Sequence, residues 1–184
     1  KSMIRKKVDF IILGGGCSAL SLINNVIKKN ITSYSFLILE KRKKYIDDKS
    51  WCFWDKNNSK YNKFTEKSWN NFSFSYKKNK NTLKSDLYKY FYIRSGVFYK
   101  NSLKAISNSK NVTLKLNESV LKVKVLNTKY LVVTNKAEYI AKNILDTRNN
   151  IEVFQKNTLL YQSFVGYEVK LEECNKYKLN CANL

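Results

Sequence analysis

Several residue types are missing or rare in this sequence, and each absence removes a class of function. The 184 residues include no histidine and no proline, and they include only five glycines and one methionine. Without histidine these residues can form neither a Ser-His-Asp triad nor a Cys-His pair, and they offer no imidazole to zinc. Proton transfer would therefore depend on carboxylates, tyrosine, lysine or a bound cofactor.

Cysteines and long apolar runs are also too few to define a familiar kind of site. Cys17, Cys52, Cys174 and Cys181 include no Cys-x-x-Cys pair, which supports neither a zinc site nor a redox dithiol. We predict no bound metal and a reducing, cytoplasmic setting. No apolar run approaches the roughly 18 residues of a membrane-spanning helix, so we expect a soluble or peripheral protein.

Lysine, in contrast, is abundant. The chain has 35 Lys and Arg against 14 Asp and Glu, a net charge of +21. Such an excess is typical of proteins that bind nucleic acids or anionic membranes. The lysines are spread along the whole chain, however, and a 43% hydrophobic content is enough for a core in one domain or in part of a larger one. We interpret most of the charge as compositional bias and expect no nucleic-acid partner.

The first forty residues have the pattern of a β-α-β unit. Residues 8–13 form a continuous apolar run, which is typical of a parallel strand that is buried on both faces. Apolar residues at helical spacing predict a helix over 18–28, with lysines near its C-terminus. A turn then leads to a second apolar strand at 35–39.

A glycine loop joins the first strand to the helix. Gly14, Gly15 and Gly16, with Ala19 three residues later, fit the Gly-x-Gly-x-x-Ala form of a dinucleotide-binding loop. The glycines allow a tight turn and a close approach of the pyrophosphate, and the helix N-terminus supplies N–H groups to the phosphates. Glu40 ends the second strand, 24 residues after Gly16, and is predicted to bind the ribose hydroxyls.

The rest of the chain favours FAD over NAD as the dinucleotide. An aromatic-rich, alternating segment at 45–92 predicts an inserted sheet region, where a simple NAD domain would continue directly with another helix and strand. A helix is predicted at 96–109 and a strand at 112–116. A hairpin follows at 120–133, with its turn at Asn127 and Thr128, and further strands are predicted at 139–146 and 159–171.

The predicted fold is therefore an α/β, Rossmann-like FAD-binding domain of the glutathione-reductase type with an inserted antiparallel sheet. We assign residues 1–44 to the dinucleotide-binding core, 45–95 to the insert, 96–150 to the rest of the FAD-binding domain and 151–184 to the start of a substrate domain.

The order of short sequence blocks resembles the flavin-dependent lycopene cyclases, in their bacterial lycopene β-cyclase form. Thr147 stands where that family usually has glycine, and Trp54 stands where it often has histidine. The similar blocks are Val8-Asp9-Phe10-Ile11-Ile12-Leu13 with the glycine loop, Ile38-Leu39-Glu40, Ser50-Trp51-Cys52-Phe53-Trp54, the segment from Tyr90-Phe91-Tyr92-Ile93 through Phe98, Ile144-Leu145-Asp146-Thr147-Arg148 and Tyr161-Gln162-Ser163-Phe164-Val165-Gly166-Tyr167-Glu168-Val169.

The resemblance implies roles for individual residues. Val120 would lie against adenine through its backbone, and Asp146 and Arg148 would approach the flavin end of FAD. Trp51 and Trp54 would line an apolar substrate path, although ordinary packing in an aromatic sheet explains them equally well. Glu168 is a weak candidate for a catalytic carboxylate, since the acidic motif of the family would fall beyond residue 184.

The implied function is the cyclisation of lycopene ends to β-rings in carotenoid biosynthesis, an isomerisation that needs FAD reduced by NAD(P)H. Lycopene is apolar, so peripheral attachment to a membrane is expected. We expect this chain to be the N-terminal part of a longer enzyme. The alternatives are another flavoprotein of the same fold, such as a prenyl reductase or a hydroxylase, and a basic nucleic-acid-binding module. The ring type, the number of ends cyclised, the reducing nucleotide and the oligomeric state stay open.

Overall fold

The computed structural model describes residues 5–148 and 182–183. They form two α-helices and twelve β-strands within those ranges. The elements in chain order are β1 (Arg5–Leu13), α1 (Cys17–Lys28), β2 (Phe36–Leu39), β3 (Ser50–Lys56), β4 (Thr65–Trp69), β5 (Asn71–Tyr76), β6 (Asn79–Lys84), β7 (Tyr88–Arg94), α2 (Ser95–Ser107), β8 (Val112–Lys115), β9 (Val120–Leu126), β10 (Lys129–Thr134), β11 (Glu138–Asp146) and β12 (Ala182–Asn183). Neither helix is long and apolar enough to cross a membrane.

The chain divides into two compact units, and the first, Lys1–Ile46 with Tyr99–Ile151, contains the six-stranded sheet. Its strand order is β8-β2-β1-β11-β10-β9. The neighbours β8, β2, β1 and β11 are parallel, whereas β10 pairs antiparallel with both β11 and β9. Strand β1 is followed by α1 and then by the adjacent parallel strand β2, so the predicted β-α-β unit is confirmed.

Burial explains why the sequence of this sheet reads as continuous apolar runs. All four residues of β2 are buried, and Ile11, Ile12 and Leu13 of β1 are at most 1% exposed. Strands in the middle of a parallel sheet are covered on both faces, so neither face is left for polar residues. Helix α1 buries one stripe of its surface, Ala19, Leu20, Ile23 and Val26.

The predicted bounds of the two helices and of the hairpin are close to those observed. Helix α1 begins at Cys17 instead of residue 18, and α2 covers Ser95–Ser107 instead of 96–109. The hairpin is formed by β9 and β10 with Asn127 at positive φ in the turn, a conformation that asparagine tolerates better than most residues. The predicted strand at 159–171 lies outside the described residues.

The second unit comprises Asp47–Phe98 and Glu152–Leu184 and holds two small sheets, β3-β7-β4 and β12-β5-β6. Strand β7 confirms that the alternating aromatics lie on a strand, and the tyrosines are not the residues on its buried side. Phe91 and Ile93 are buried, whereas Tyr88 is exposed and Tyr90 is half-buried. The hydroxyl explains the difference, because a tyrosine can keep its polar end in water at the edge of an apolar face.

An aspartate fixes the start of α2 within the second unit. Asp47 Oδ1 accepts hydrogen bonds from the Gly96 N–H at 2.8 Å and from Ser95 Oγ at 3.2 Å. Arg94 Nε donates to Asp47 Oδ2 at 2.7 Å. The Gly96 hydrogen bond, aided by Arg94, lowers the pKa of the Asp47 carboxyl, so this side chain is a charged cap on the helix.

Candidate cofactor site

The candidate site lies where three parallel strands of the first unit end at the same edge of the sheet. In the register, Leu13 at the end of β1 stands between Leu39 of β2 and Asp146 of β11. The glycine loop follows β1, Glu40 follows β2, and Asp146 is the last residue of β11. The carboxyl edge of a parallel sheet is where doubly wound folds bind their ligands.

Gly14 makes the turn out of β1. Its φ of +91° lies in a region that other residues adopt only with strain, and its N–H donates to Leu39 O at 2.9 Å. A Cβ at this position would stand 3.2 Å from both Thr147 Oγ1 and Arg148 Cγ. The backbones that follow β1 and β11 therefore approach each other so closely that only glycine fits without displacement.

Helix α1 begins directly after the glycine loop and has no side-chain cap at its N-terminus. Gly16 is the N-cap of α1, makes no side-chain capping hydrogen bond, and is followed by a first turn without acidic residues. A Cβ on Gly16 would meet no described heavy atom within 4 Å, whereas Ala19 is fully buried. The first N–H groups of a helix lack acceptors within the helix and attract anions. Space and partial positive charge therefore coincide in front of Gly16.

Glu40 is a buried carboxylate that is tied to the loop. It is 5% exposed, and its Oε2 accepts the Gly15 N–H at 2.7 Å. Its Oε1 accepts the Arg42 N–H at 2.8 Å and stands 3.5 Å from Arg42 Nε. A carboxylate has about four acceptor positions, so Glu40 keeps capacity for a ligand hydroxyl while its orientation is set by protein donors.

A cluster of Arg42, Tyr45 and Tyr99 surrounds this carboxylate, and sequence analysis missed it. Tyr45 Oη donates to Gly15 O at 2.7 Å, and a Cβ on Gly15 would overlap that hydroxyl. The Arg42 guanidinium lies 5.1 Å from the Tyr45 ring centre and 5.5 Å from that of Tyr99. Burial, and then the charge of Glu40, raises the pKa of Tyr45, so its hydroxyl stays protonated as a donor.

The end of β11 supplies a second charged group beside the loop. Asp146 and Arg148 form a two-point ion pair, with Nε to Oδ1 at 2.8 Å and Nη2 to Oδ2 at 2.6 Å. The Arg148 hydrogen bonds lower the pKa of Asp146. Between them, Thr147 Oγ1 donates to Leu13 O at 3.0 Å. Threonine therefore replaces the glycine typical of the resembled family with a side chain that fastens the turn to β1.

A second buried carboxylate, also missed in the sequence, stands behind Glu40. Glu118 is 4% exposed, and its Oε1 accepts hydrogen bonds from Thr134 Oγ1 at 2.8 Å and Tyr139 Oη at 2.7 Å. Its N–H donates to Glu40 O at 3.0 Å, which links the start of the hairpin to the end of β2. Val120, two residues later, packs half-buried against the core of the sheet.

The remaining predicted site residues are not assembled into one site. Trp51 and Trp54 lie in the second unit on opposite faces of β3, because residues three apart on a strand point in opposite directions. Trp51 is half-buried against Phe98, whereas Trp54 is 45% exposed and packs on Phe72 and Tyr90. Glu168 lies outside the described residues.

A comparison with known protein families identifies the family of this chain. The family model described as lycopene cyclase protein matches residues 9–184. The chain belongs to the lycopene cyclase family. The resemblance seen in the sequence blocks is therefore confirmed. No curated protein matches this lycopene cyclase family member.

Solved structures with the same fold include FAD-dependent and FAD-bound enzymes. This lycopene cyclase family member is similar to p-nitrophenol 4-monooxygenase PnpA of Pseudomonas putida DLL-E4 (TM-score 0.55, 12% identity, 77% of this chain and 41% of that one). It is similar to pqsL, a probable FAD-dependent monooxygenase of Pseudomonas aeruginosa (0.57, 9%, 76% and 42%), and to halogenase PltM in complex with phloroglucinol and FAD (0.55, 13%, 77% and 34%).

At these identities the similarity establishes the fold, and the predicted Rossmann-like FAD-binding fold is confirmed. The lycopene cyclase family member spans well under half the length of each of these three proteins. The domain assignments and the roles of the individual site residues stay predictions.

Proposed function

We propose that the chain is the FAD-binding part of a lycopene β-cyclase, which converts the linear ends of lycopene to β-rings without net redox change. The proposal is carried by one observation: a chain of the lycopene cyclase family brings its glycine loop, Glu40 and the Asp146–Arg148 pair to a single sheet edge.

The described residues fit an adenine dinucleotide. The open space in front of Gly16 and the N–H groups of the first turn of α1 would receive the pyrophosphate. Glu40, with its unused acceptor capacity, would bind the ribose hydroxyls, and the backbone at Val120 would lie against adenine. The ion-paired Asp146 and Arg148 would flank the flavin end of the cofactor. Backbone groups would hold the phosphates, so the large lysine excess is not required for this binding.

The reaction class defines what the protein has to supply. A proton adds to the terminal double bond of lycopene, a neighbouring double bond attacks the carbocation and closes the ring, and a proton is then lost. When bound and reduced by NAD(P)H, FAD would supply the proton or an electron-rich surface near the cation. Because these residues include no histidine, the side chains left for proton transfer in this chain are carboxylates, tyrosines and lysines.

The substrate would come from a membrane and pass an aromatic surface. Lycopene is an apolar hydrocarbon, so a lipid bilayer is its expected source and a peripheral attachment the expected location. Trp54, 45% exposed beside Tyr90, offers an aromatic face of the kind that stabilises a nearby cation. Trp51, on the other face of β3, would contribute to such a path only through packing.

Expression of the complete reading frame in lycopene-producing cells tests the function directly. We expect the pigment to change from lycopene to β-carotene, with NAD(P)H needed only to reduce the flavin. A flavoprotein of the same fold that reduces or hydroxylates its substrate would instead consume one NAD(P)H for each product. Stoichiometric consumption without ring closure would overturn the proposal.

A further inference from the structure

The outer hairpin of the six-stranded sheet carries an unusual set of exposed apolar side chains. Leu121 and Val125 of β9 are 68% and 71% exposed, and Leu126 is 42% exposed. Across the hairpin, Val123 stands opposite Val132, which is fully buried in the core cluster. The apolar face of the sheet therefore continues outward from the core and reaches β9 without a cover from the described residues.

Lysines alternate with these apolar residues. Between Ser119 and Ala137 the chain has four lysines and no acidic residue. Lys122 and Lys124 project from the face of β9 opposite to Val123 and Val125, since side chains alternate along a strand, and the exposed Leu121 lies at the irregularity in the pairing with β10. The hairpin is thus both apolar and cationic.

The positive surface extends beyond the turn of the hairpin. Lys129, Lys7 and Lys142 line a cavity of about 230 Å³. The acid in this cavity, Asp9, is already bound by Lys142 Nζ at 2.9 Å and by Ser35 Oγ at 2.7 Å. Its charge is therefore compensated within the protein, and the cavity offers a net positive charge to an anion.

Pairing with a second copy of this chain is the obvious competing use of β9, which is an edge strand of its sheet within the described residues. Two antiparallel β9 strands centred on Val123 would place each Lys122 opposite the Lys124 of the other copy, and centring on a lysine would place it opposite itself. Like charges directly opposite each other are destabilising. Registers shifted by one residue would join the lysine face of one strand to the apolar face of the other. In these registers the lysines act against self-pairing.

We propose that the β9–β10 hairpin binds the surface of an anionic lipid bilayer. Leu121, Val123 and Val125 would enter the boundary between headgroups and acyl chains. The long lysine side chains would extend to the lipid phosphates, as lysines at membrane surfaces do. The inference rests on the proposed function for its purpose, the collection of an apolar substrate, although its geometry stands apart from the cofactor site.

The test is co-sedimentation of the full-length protein with vesicles of phosphatidylcholine alone or with about 30% phosphatidylserine. We expect binding to the anionic vesicles that weakens at high salt. Replacing Leu121→Ser and Val125→Ser together should lower the partition coefficient at least about tenfold. Replacing Lys122→Gln and Lys124→Gln together should lower it by about fivefold for each lysine on anionic vesicles, with little change on neutral ones.

The matched controls are on β6 and the loop after it, in the second unit. Lys80→Gln with Lys84→Gln, and Leu83→Ser with Leu87→Ser, remove the same number of exposed lysines and apolar residues and should leave the partition coefficient unchanged. An equal loss in these controls would overturn the assignment to β9. The assignment would also be overturned if the hairpin variants kept normal vesicle binding and changed only the oligomeric mass measured by light scattering, or only the binding to heparin.

FAD binding and cyclisation of detergent-dispersed lycopene separate this inference from the proposed function. The hairpin variants should keep wild-type FAD affinity and activity in detergent, which also shows that they fold. A wild-type protein that binds FAD and cyclises lycopene but ignores anionic vesicles would overturn the membrane surface alone. Vesicle binding through the hairpin without FAD binding would overturn the proposed function alone.

Discussion

The two units of the chain bury different side chains and offer different surfaces. In the first unit β2 is completely buried, and the carboxylates of Glu40 and Glu118 are enclosed among protein donors. In the second unit β3 alternates between half-buried and exposed residues, and its contacts are mostly between aromatic rings. A rigid aliphatic sheet can hold polar groups at fixed positions along its edge, whereas an open aromatic sheet supplies apolar contact area. The difference supports the proposal that the first unit binds the polar cofactor.

The largest predicted effect is a loss of stability caused by a substitution in the six-stranded sheet of the first unit. Leu39→Ala should lower the free energy of unfolding by about 2–5 kcal/mol, because the side chain is 1% exposed and leaves a cavity. Leu83→Ala, at a position that is 58% exposed in the second unit, should cost less than about 0.5 kcal/mol. Urea unfolding measures both. Equal losses would show that the second unit is packed as tightly as the first.

Glu40→Gln tests whether the buried carboxylate of the first unit serves the cofactor. The amide keeps the shape but loses the charge and offers fewer acceptor positions, so FAD affinity should fall roughly 10- to 100-fold, as for the loss of a charged hydrogen bond. Quenching of flavin fluorescence measures the affinity. Glu66→Gln changes a half-exposed glutamate of the second unit and serves as the control. Unchanged affinity in Glu40→Gln would exclude the predicted role of Glu40.

Tyr139→Phe tests the network around Glu118. It removes a donor from a buried carboxylate and should cost about 1–2 kcal/mol of unfolding free energy at neutral pH. Tyr88→Phe, at an exposed position of β7, should change stability by less than about 0.5 kcal/mol.

The same substitution has a pH signature. Burial, and then the hydrogen bond to Glu118, raises the pKa of Tyr139 above its ordinary value. The unfolded chain then loses this proton first, so the stabilisation is complete below about pH 10 and declines as the pH rises further. Wild-type stability should therefore fall more steeply than that of Tyr139→Phe in alkaline urea titrations. Parallel curves would contradict a buried, hydrogen-bonded Tyr139.

The smallest effects concern one carboxylate in each unit, the half-buried Asp9 and the exposed Asp47. Hydrogen bonds from Ser35 and Lys142 lower the pKa of Asp9 in the first unit, and those from Gly96 and Arg94 lower the pKa of Asp47 in the second. Asp9→Asn and Asp47→Asn should each be slightly less stable than wild type at pH 7. The difference should shrink as the pH falls below about 4, where the unfolded carboxyl binds a proton and the native one resists it. A difference independent of pH would mean that charge is not the cause.

The sequence predicted the first unit better than the second because its central strands are buried on both faces and therefore read as continuous apolar runs. Continuous apolar runs identified β1 and β2, the apolar strand end Ile144-Leu145 identified β11, and loop glycines with a terminal acid identified the candidate cofactor edge. The alternating aromatics predicted β7 but not which of its faces is buried. Phe91 and Tyr90 are both aromatic and differ only by a hydroxyl group, so an alternation of aromatic residues does not distinguish the two faces. The spacing of neighbouring residues could not predict the Arg42–Tyr45–Tyr99 cluster or the role of Glu118. Tyr99 lies 57 residues after Arg42, and Tyr139 lies 21 residues after Glu118.

The spacing of the two tryptophans in the second unit argues against their predicted common role. Trp51 and Trp54 are three residues apart, and on a strand that separation places side chains on opposite faces. A shared substrate path for both tryptophans was therefore in conflict with the strand that the same residues predict.

The hydrogen bond from Thr147 to Leu13 O joins residues 134 positions apart, and this has a consequence during synthesis. Strand β1 is made first, yet its neighbour β11 leaves the ribosome roughly 7–27 s later at ordinary elongation rates of about 5–20 residues per second. Throughout that interval Ile11, Ile12 and Leu13 lack one of the two strands that flank them. The nascent first unit thus keeps one side of β1 open to aggregation until β11 arrives, and this edge of the sheet cannot close before then.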